Sequence, residues 1–430
     1  MNHSLDGLAP SAVESPRTLD ELSMALANAS DAGLAVVPWG GGTRIGVGNI
    51  PAKYDVTLDL TGLTAQLEHV AGDMTVIVDG GVRVGDLNAE LAQEGQRLPF
   101  EVRDPARATI GGSVASNAPG RRQSSTGGIR DWVLGMQIVL ADGTVTKSGG
   151  RVVKNVQGYD LHRLHTGAYG TLGVIAQAAF KLAPVPPAQQ TIAAWFDDVR
   201  SANEVGLQLV NGLFAPEVIS LVSGPLASAL VDATGEAAPG VDSGSGPGSD
   251  GDDETWMLLI RLGGGVRSVE RQVNEVTGTA GAGGATGYAV LDDDSAGRVW
   301  ALLDDAESAA GVAVRVSARV LDTLRIAESI RSGSPEIRGE LSTVCNLGFG
   351  AMTALASTST DEQARDFVEA VFGAASHTSG SYVVERCPLT VKQQLDVFSD
   401  VGNSIELMRR IKNQYDPANI LNPGRFAGKI

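Results

Sequence analysis

The chain has 430 residues, with 33 basic against 50 acidic side chains and a formal net charge of −17, and its isoelectric point is about 4.7. That sign opposes nucleic acid and anionic membrane surfaces at long range, and the length suffices for two or three domains that bury a large core and still shape a deep ligand site. Two cysteines, Cys345 and Cys387, lie outside any CxxC pattern, which argues against a disulfide framework or a zinc or iron–sulfur site and for a reducing, cytoplasmic setting.

In chain order, the amino terminus MNHSLDGLAPSAVESP lacks a basic start followed by an apolar run. No stretch approaches the ~18 apolar residues of a membrane-spanning helix. TLDELSMALANASDAG predicts a helix, with Thr18 as cap, Glu21 three residues on and Gly33 ending it. AVVPWGGG reads as a strand stopping in a loop. YDVTLDLTGL and MTVIVDGGVRVGDL read as strands, VGDLNAELAQEGQRLP as a short helix ending at Gly95, and WVLGMQIVLADGTVTKSGG as a hairpin turning at ADG. Three prolines in PVPP, residues 184–187, mark a boundary, so 1–187 reads as one mixed α+β domain.

From 188 to about 400, TIAAWFDD, NEVGLQLVNG, VISLVSG, ETWMLLIRLGG, STVCNLGFGAMTAL and SYVVERCP interleave with helical RSVERQVNEVTG and DEQARDFVEAVFGA. That order predicts a second α+β domain, an antiparallel sheet backed by helices. Within it GEAAPGVDSGSGPGSDGDDE, 235–254, has almost nothing to bury and reads as a disordered surface loop, a linker being the alternative. TGTAGAGGATG, 277–287, reads as a turn from helix to strand. In the last segment, 401–430, VGNSIELMRRIKNQYDPANILNPGRF predicts an amphipathic helix stopped at DP and followed by an NPG turn.

Glycine is the outlier, at 54 of 430 residues, well above the roughly 7% of ordinary proteins. VVPWGGGTR, 36–44, can gather several backbone N–H groups with no Cβ in the way, which suits an anion such as phosphate; a plain glycine turn is the alternative. The stretch never reaches the GK[ST] of a Walker loop, and no GxGxxG opens a helix there. TIGGSVASNAPG, 109–120, is a run of small residues built for close approach to a flat ligand or to another backbone. GAYGTLGVI, 167–175, feeds further glycines into a strand.

VVPWGGGTR, TIGGSVASNAPG, VLGMQIVLADGTV, VVKNVQGYDLHRLHTGAYGTLGVIAQAAFKLAP and NPGRF, in that order, resemble the vanillyl-alcohol oxidase and p-cresol methylhydroxylase superfamily. Within it, APGRRQSSTGGIRDWVLGM and SGGRVVKNVQGYDL are most similar to the E subunit of bacterial glycolate oxidase. The resemblance covers the first domain well, the tail fairly and the middle poorly. It implies a two-subdomain FAD-binding domain followed by an α+β cap domain. It further implies that Pro38, Gly40, Gly41, Gly42, Thr43 and Arg44 form the pyrophosphate loop. Thr109, Ile110, Gly111, Gly112 and Ser113 would approach pyrophosphate or ribityl from the other side, with Ala115, Ser116, Asn117 and Gly120 along ribityl and flavin. Gly170, Gly173, Val174 and Ile175 would serve the adenine and ribose end, and Asn422, Pro423 and Gly424 would return the tail to the FAD domain. Arg130 and Lys154 could balance anionic charge, surface positions being the alternative.

Relatives that tether flavin covalently often use a histidine in the first loop; GGGTR has none, so noncovalent FAD is expected. Relatives that oxidise 2-hydroxy acids alone carry a histidine-rich metal motif in the cap, which the five histidines here do not form. His162 and His165 are spaced for a metal or for packing, and Arg315, Arg319 and Arg386 could bind a substrate carboxylate or serve structure. No catalytic base is apparent and no metal is expected. The expectation is an FAD-binding subunit oxidising a small 2-hydroxy acid to a 2-oxo acid, with a D-like flavoprotein and an iron–sulfur subunit, in the cytoplasm and held at the inner membrane face through partners. A self-sufficient oxidase of another alcohol or aldehyde, or an interaction subunit with structural FAD, is the alternative.

Overall fold

The computed structural model describes residues 3–151, 158–214, 216–235, 255–333 and 339–430. Two compact units emerge: one of Met1–Gly120, Gly127–Val185 and Lys392–Ile430, the other of Arg121–Thr126 and Pro186–Val391.

The first unit holds two sheets. Strands β1 (Ala12–Glu14), β2 (Val36–Trp39) and β3 (Val56–Asp59) run parallel in the order β1-β3-β2. Helix α1 (Leu19–Asp31) connects β1 to β2 and starts as the sequence predicts. Glu21 N–H donates to Thr18 Oγ1 at 3.2 Å, and Glu21 Oε2 accepts from the N–H of Arg17 at 2.7 Å, one residue outside the usual capping-box return. Its apolar stripe buries Leu22 and Leu26 against Val36, Val56 and Leu58.

The second sheet is antiparallel, in the order β4 (Leu67–Val70), β5 (Thr75–Asp79), β9 (Val174–Lys181), β7 (Val133–Val139), β8 (Val145–Gly149). A short ladder pairs β6 (Gln96–Arg97) with β10 (Ala183–Pro184). The β7–β8 hairpin turns through Gly143 at φ +82°, the positive angle that ADG anticipates. Helices α2 (Val84–Ala92) and α3 (Ile110–Ser116) bury Leu87, Leu91, Ile110 and Val114 against Val76, Val78, Ile138 and Phe180. The strand reading of GGVRVGDL gives way after Asp79. A Cβ on Gly80 would stand 2.4 Å from Ile175 O and one on Gly81 2.2 Å from Leu60 O, so the chain leaves the sheet there in a close backbone crossing. The short α5 (His162–His165) precedes β9.

The second unit is built on eight strands, each antiparallel to its neighbours, in the order β14 (Gly287–Leu291), β11 (Ala188–Phe196), β13 (Trp256–Gly264), β12 (Val218–Ser223), β16 (Leu341–Asn346), β17 (Ala351–Ala356), β15 (Val312–Ser317), β18 (Ser381–Arg386). Its helices are α4 (Gln123–Thr126), α6 (Val199–Val210), α7 (Pro225–Thr234), α8 (Val266–Ala282), α9 (Asp293–Ala309), α10 (Val320–Gly333) and α11 (Asp361–His377), with α12 (Leu389–Lys392) at its end. Burial on both faces explains why β13 reads as an unbroken apolar run rather than an alternating one. Leu226 and Leu230 of α7 and Val299 and Leu303 of α9 cover Ala193, Leu259, Met257 and Leu355.

Three differences from the sequence reading have physical causes. Helix α8 continues through Gly278 and Gly281 to Ala282, because Val276 and Ala280 are buried and hold it where TGTAGAGG alone would break it. Residues 121–126 join the second unit: Asn346 Nδ2 donates to Arg121 O at 3.1 Å, Arg121 pairs with Asp304 and, at 3.0 Å, with Glu307, and Ser125 Oγ donates to Glu217 O at 2.9 Å. The division falls at 185/186 and 391/392 rather than 187/188 and 400/401, since Lys392 Nζ donates to both oxygens of Asp6 at 2.8 and 2.7 Å and to Gly46 O at 2.9 Å, all inside the first unit. Residues 236–254, nearly all of the expected surface loop, lie outside the described residues.

Candidate functional site

The first unit draws the three small-residue clusters of the sequence to one place. A Cβ on Gly41 would stand 1.7 Å from Arg107 O, and one on Gly40 2.2 Å from Thr109 Oγ1, so these glycines let the 40–44 loop press against the entrance to α3. At the other end of α3, Gly167 N–H donates to Val114 O at 3.0 Å and Tyr169 N–H to Ala115 O at 2.9 Å. Gly170, at φ +69°, then sits against Pro38 and Asn422. Each cluster therefore touches the other two.

Backbone hydrogen bonds separate which amides are committed. Ile110 N–H donates to Val82 O, Gly111 N–H to Gly80 O at 2.8 Å and Gly112 N–H to Thr109 Oγ1 at 3.3 Å. Ser113 Oγ and Ser116 Oγ turn back to Thr109 O and Ser113 O. Among the described residues, by contrast, the amides of Gly41, Gly42 and Thr43 have no backbone acceptor. The first glycine cluster thus has three consecutive donors to offer, and a bond from an amide to an anion is worth about 1.5–3 kcal/mol.

The tail fixes both loops. Val36 N–H donates to Ile420 O at 2.7 Å and Asn422 N–H to Val36 O at 2.9 Å, a parallel bridge between Val36 and Leu421 that extends the β2 edge. Asn422, at φ +45°, sends Nδ2 to Tyr169 O at 2.6 Å, while Pro423 O accepts from Ala52 N–H at 2.8 Å and Gly424 packs on Ala52. Asn422 thereby joins the third cluster to the first, and Gly424 holds the tail against residue 52. Helix α13 (Ser404–Tyr415) carries Lys412, whose Nζ donates to Thr171 O at 2.9 Å, Leu421 O at 2.8 Å and Asp416 Oδ2 at 2.6 Å. Asp416, fully buried, also accepts from Ile420 and Leu421 N–H. Burial pulls the Lys412 ammonium below its ordinary range, opposed by the Asp416 charge. Arg425 donates to Ile45 O and, at 2.8 Å, to Val47 O. Burial lowers its guanidinium to about 10, so it remains charged at neutral pH.

Other candidates take other places. Gly120 lies close over the chain, its Cβ position 2.5 Å from Glu101 O, and Asn117 ends α3 at φ +42°. Val174 and Ile175 are core residues whose backbone belongs to the β7–β9 ladder, and Gly173 passes Ile138 with no room for a Cβ. Arg130 is exposed and Lys154 lies outside the described residues. Arg315 is paired with buried Glu385 at 2.8 Å, Arg319 with Asp322 at 2.6 Å, and Arg386 donates to Ala310 O at 3.4 Å. Among the described residues no group of three His, Cys, Asp or Glu side chains could hold a metal.

His162 and His165 are buried parts of the first unit: Ser148 Oγ meets His162 Nδ1 at 3.3 Å, and the His165 ring stands edge-on to Tyr415 at 5.4 Å. Burial lowers the imidazole of His165 from 6.5 to about 4. Between those values the unfolded chain binds the proton and the folded chain does not, so this contribution to stability is complete above pH 6.5 and is lost as pH falls toward 4. The loss is on the order of 3 kcal/mol. His165→Phe, which keeps a ring against Tyr415, is expected to flatten the fall in unfolding midpoint between pH 7 and pH 5; an unchanged slope would assign it elsewhere.

Sequence reasoning missed Lys392, Lys412, Asp416 and Arg425. Two signals were present: the i,i+4 spacing of Lys412 and Asp416 in the tail helix, and an arginine directly after NPG.

Two family models match the chain: the FAD binding domain over residues 10–149, and the C-terminal domain of FAD linked oxidases over 393–426. The chain is 26% identical to glycolate oxidase subunit GlcD of Bacillus subtilis (strain 168) over 434 residues, covering 98% of this chain and 89% of that one. It is 34% identical to a D-lactate dehydrogenase of Archaeoglobus fulgidus over 182 residues, 41% of each chain. The crystal structure of p-cresol methylhydroxylase with substrate bound shares its fold, with a TM-score of 0.68, 17% identity, and coverage of 97% of this chain and 88% of that one.

Proposed function

Since the chain belongs to the FAD-linked oxidoreductases built on the p-cresol methylhydroxylase type of fold, we propose that its glycine loop at 40–44 holds the diphosphate of noncovalent FAD for oxidation of a small 2-hydroxy acid. The observation that carries this reading is the set of uncommitted amides at Gly41, Gly42 and Thr43, in a loop whose contacts exclude side chains at 40 and 41. The residues present fit the group: uncommitted donors, a cradle that a Cβ would fill, and no histidine at 38–44 to form a tether.

Residues 109–120 line the other side, and Gly170 with Asn422 and Gly424 fixes the loop's far edge. Thr109 then acts through its hydroxyl, which orders the first turn of α3 by accepting from Gly112. When bound, FAD would supply the acceptor for the hydride of C2 of the hydroxy acid, with the hydroxyl proton passing to water, to give the 2-oxo acid.

Relatives named as a glycolate oxidase subunit and a D-lactate dehydrogenase support glycolate or D-lactate as substrate class. The engagement of Arg315, Arg319 and Arg386 by neighbouring groups favours a chain that works within a complex, alongside a D-like flavoprotein and an iron–sulfur subunit in the cytoplasm. No helix among the described residues is long and apolar enough to cross a membrane. Purified alone, the protein should carry yellow flavin that acid releases intact as FAD and that glycolate or D-lactate bleaches only when the partner subunits are added. Protein that retains no FAD after reconstitution overturns the cofactor site, and bleaching without partners overturns the need for a complex.

A further inference from the structure

Resting on the FAD reading of the 40–44 loop, we propose that Arg425 and Trp39 are diphosphate-binding residues, placing a buried positive charge and an indole N–H behind the loop so that the phosphates are not held by amides alone. The guanidinium of Arg425 is almost fully buried, yet no carboxylate forms an ion pair with it among the described residues. Its two carbonyl acceptors, Ile45 and Val47, are neutral, and Nε is buried with no acceptor. The carboxylate that acts most on it through space, Asp6, is clasped by Lys392 Nζ through both oxygens.

A buried charge without a counter-charge costs several kcal/mol and persists where something repays it. A diphosphate has the matching sign. Gly48, at φ +115°, shows how closely this cation is built in: a Cβ there would stand 2.9 Å from Arg425 O and 3.3 Å from its Nη2. Trp39 is the second, independent observation. Its Nε1 is buried without an acceptor and lies 3.1 Å from where a Cβ on Gly42 would be, beside the amides that also have none. Three backbone donors, one indole donor and one unpaired cation thus occur within the same few residues of β2, its loop and the tail. Phe426, next to Arg425 in the chain, packs its ring with those of Tyr169 and Phe398.

The test separates phosphate from flavin. FAD is stripped from the full chain with chaotrope, and the apo protein is titrated with FAD, with ADP, which has the diphosphate without the flavin, and with riboflavin, which has the flavin without phosphate. Arg425→Gln is expected to weaken FAD and ADP by at least tenfold and by the same factor, to leave riboflavin unchanged, and to flatten the salt dependence of ADP binding. Its apo form loses the donor to Ile45 O and Val47 O along with the unpaired charge, so the reading taken is the rise in midpoint on adding FAD, measured from each protein's own apo midpoint, which should shrink in the variant. Equal ADP and FAD affinity in wild type and Arg425→Gln overturns the inference, as does a loss seen on riboflavin. Should Arg425→Gln fail to fold, Trp39→Phe decides: a severalfold loss for ADP and FAD, with riboflavin unchanged, supports it, and unchanged ADP affinity overturns it. Wild-type apo protein that binds neither FAD nor ADP overturns the underlying FAD site instead.

Discussion

Gly41→Ala is expected to yield protein without flavin and destabilised by at least about 3 kcal/mol. The methyl group would arrive 1.7 Å from Arg107 O, and the obstacle is backbone, which cannot rotate away as a side chain could. Overpacking ordinarily costs about 1–3 kcal/mol when side chains can adjust, so this substitution sits at or beyond the upper end. The loop must lift from residues 107–109, which scatters the amides proposed to hold the phosphates. Gly46→Ala is the matched control: nothing lies within 4 Å of the added methyl, and the φ there is not positive. Comparing flavin absorbance per protein and the unfolding midpoint for both variants decides the matter. Equal flavin content in Gly41→Ala would remove the loop from the cofactor site.

Asp416→Ala should cost about 3–5 kcal/mol in a denaturant titration of the holoprotein, the usual penalty for leaving a buried charge without its partner. It strands the Lys412 ammonium at 4% side-chain exposure with only two carbonyls. Lys412→Met should cost clearly less, because the remaining carboxylate keeps two backbone donors, from Ile420 at 3.0 Å and Leu421 at 2.8 Å. That asymmetry is the discriminating feature. If Lys412→Met proved the worse of the two, the ammonium's grip on Thr171 O would matter more than charge compensation, and the third glycine cluster rather than the tail turn would be the part at risk.

What could be read from the amino-acid order was what local chemistry dictates. Thr18 with Glu21, the ADG turn, the stripe of α13 and its stop at Asp416-Pro417 each signal through neighbours a few residues away. The glycine clusters were legible for a different reason: an absence of side chains is visible in sequence whatever the fold. What the clusters press against was not, since Arg107 O and Gly41 are partners only through the topology. The same holds for Lys392 with Asp6 and for Arg425 with Ile45, where charge and acceptor are separated by nearly the whole chain. Local propensity also misled where burial outweighed it, at the glycines of α8. The segment 121–126 reads as part of the flavin-side motif, yet its arginine and serine find their partners in the second unit.

The first unit is completed by Lys392–Ile430, after all of Pro186–Val391 has been made. On the ribosome, at ~5–20 residues per second, the glycine loop therefore waits roughly 20–75 s before Lys412, Asn422 and Arg425 emerge to fix it. Throughout that interval the β2 edge, later covered by Leu421, stands open to other chains. Cofactor capture by the loop proposed for it would thus be a late event of biosynthesis, and a chain stalled anywhere in the second unit displays a glycine loop that nothing yet anchors.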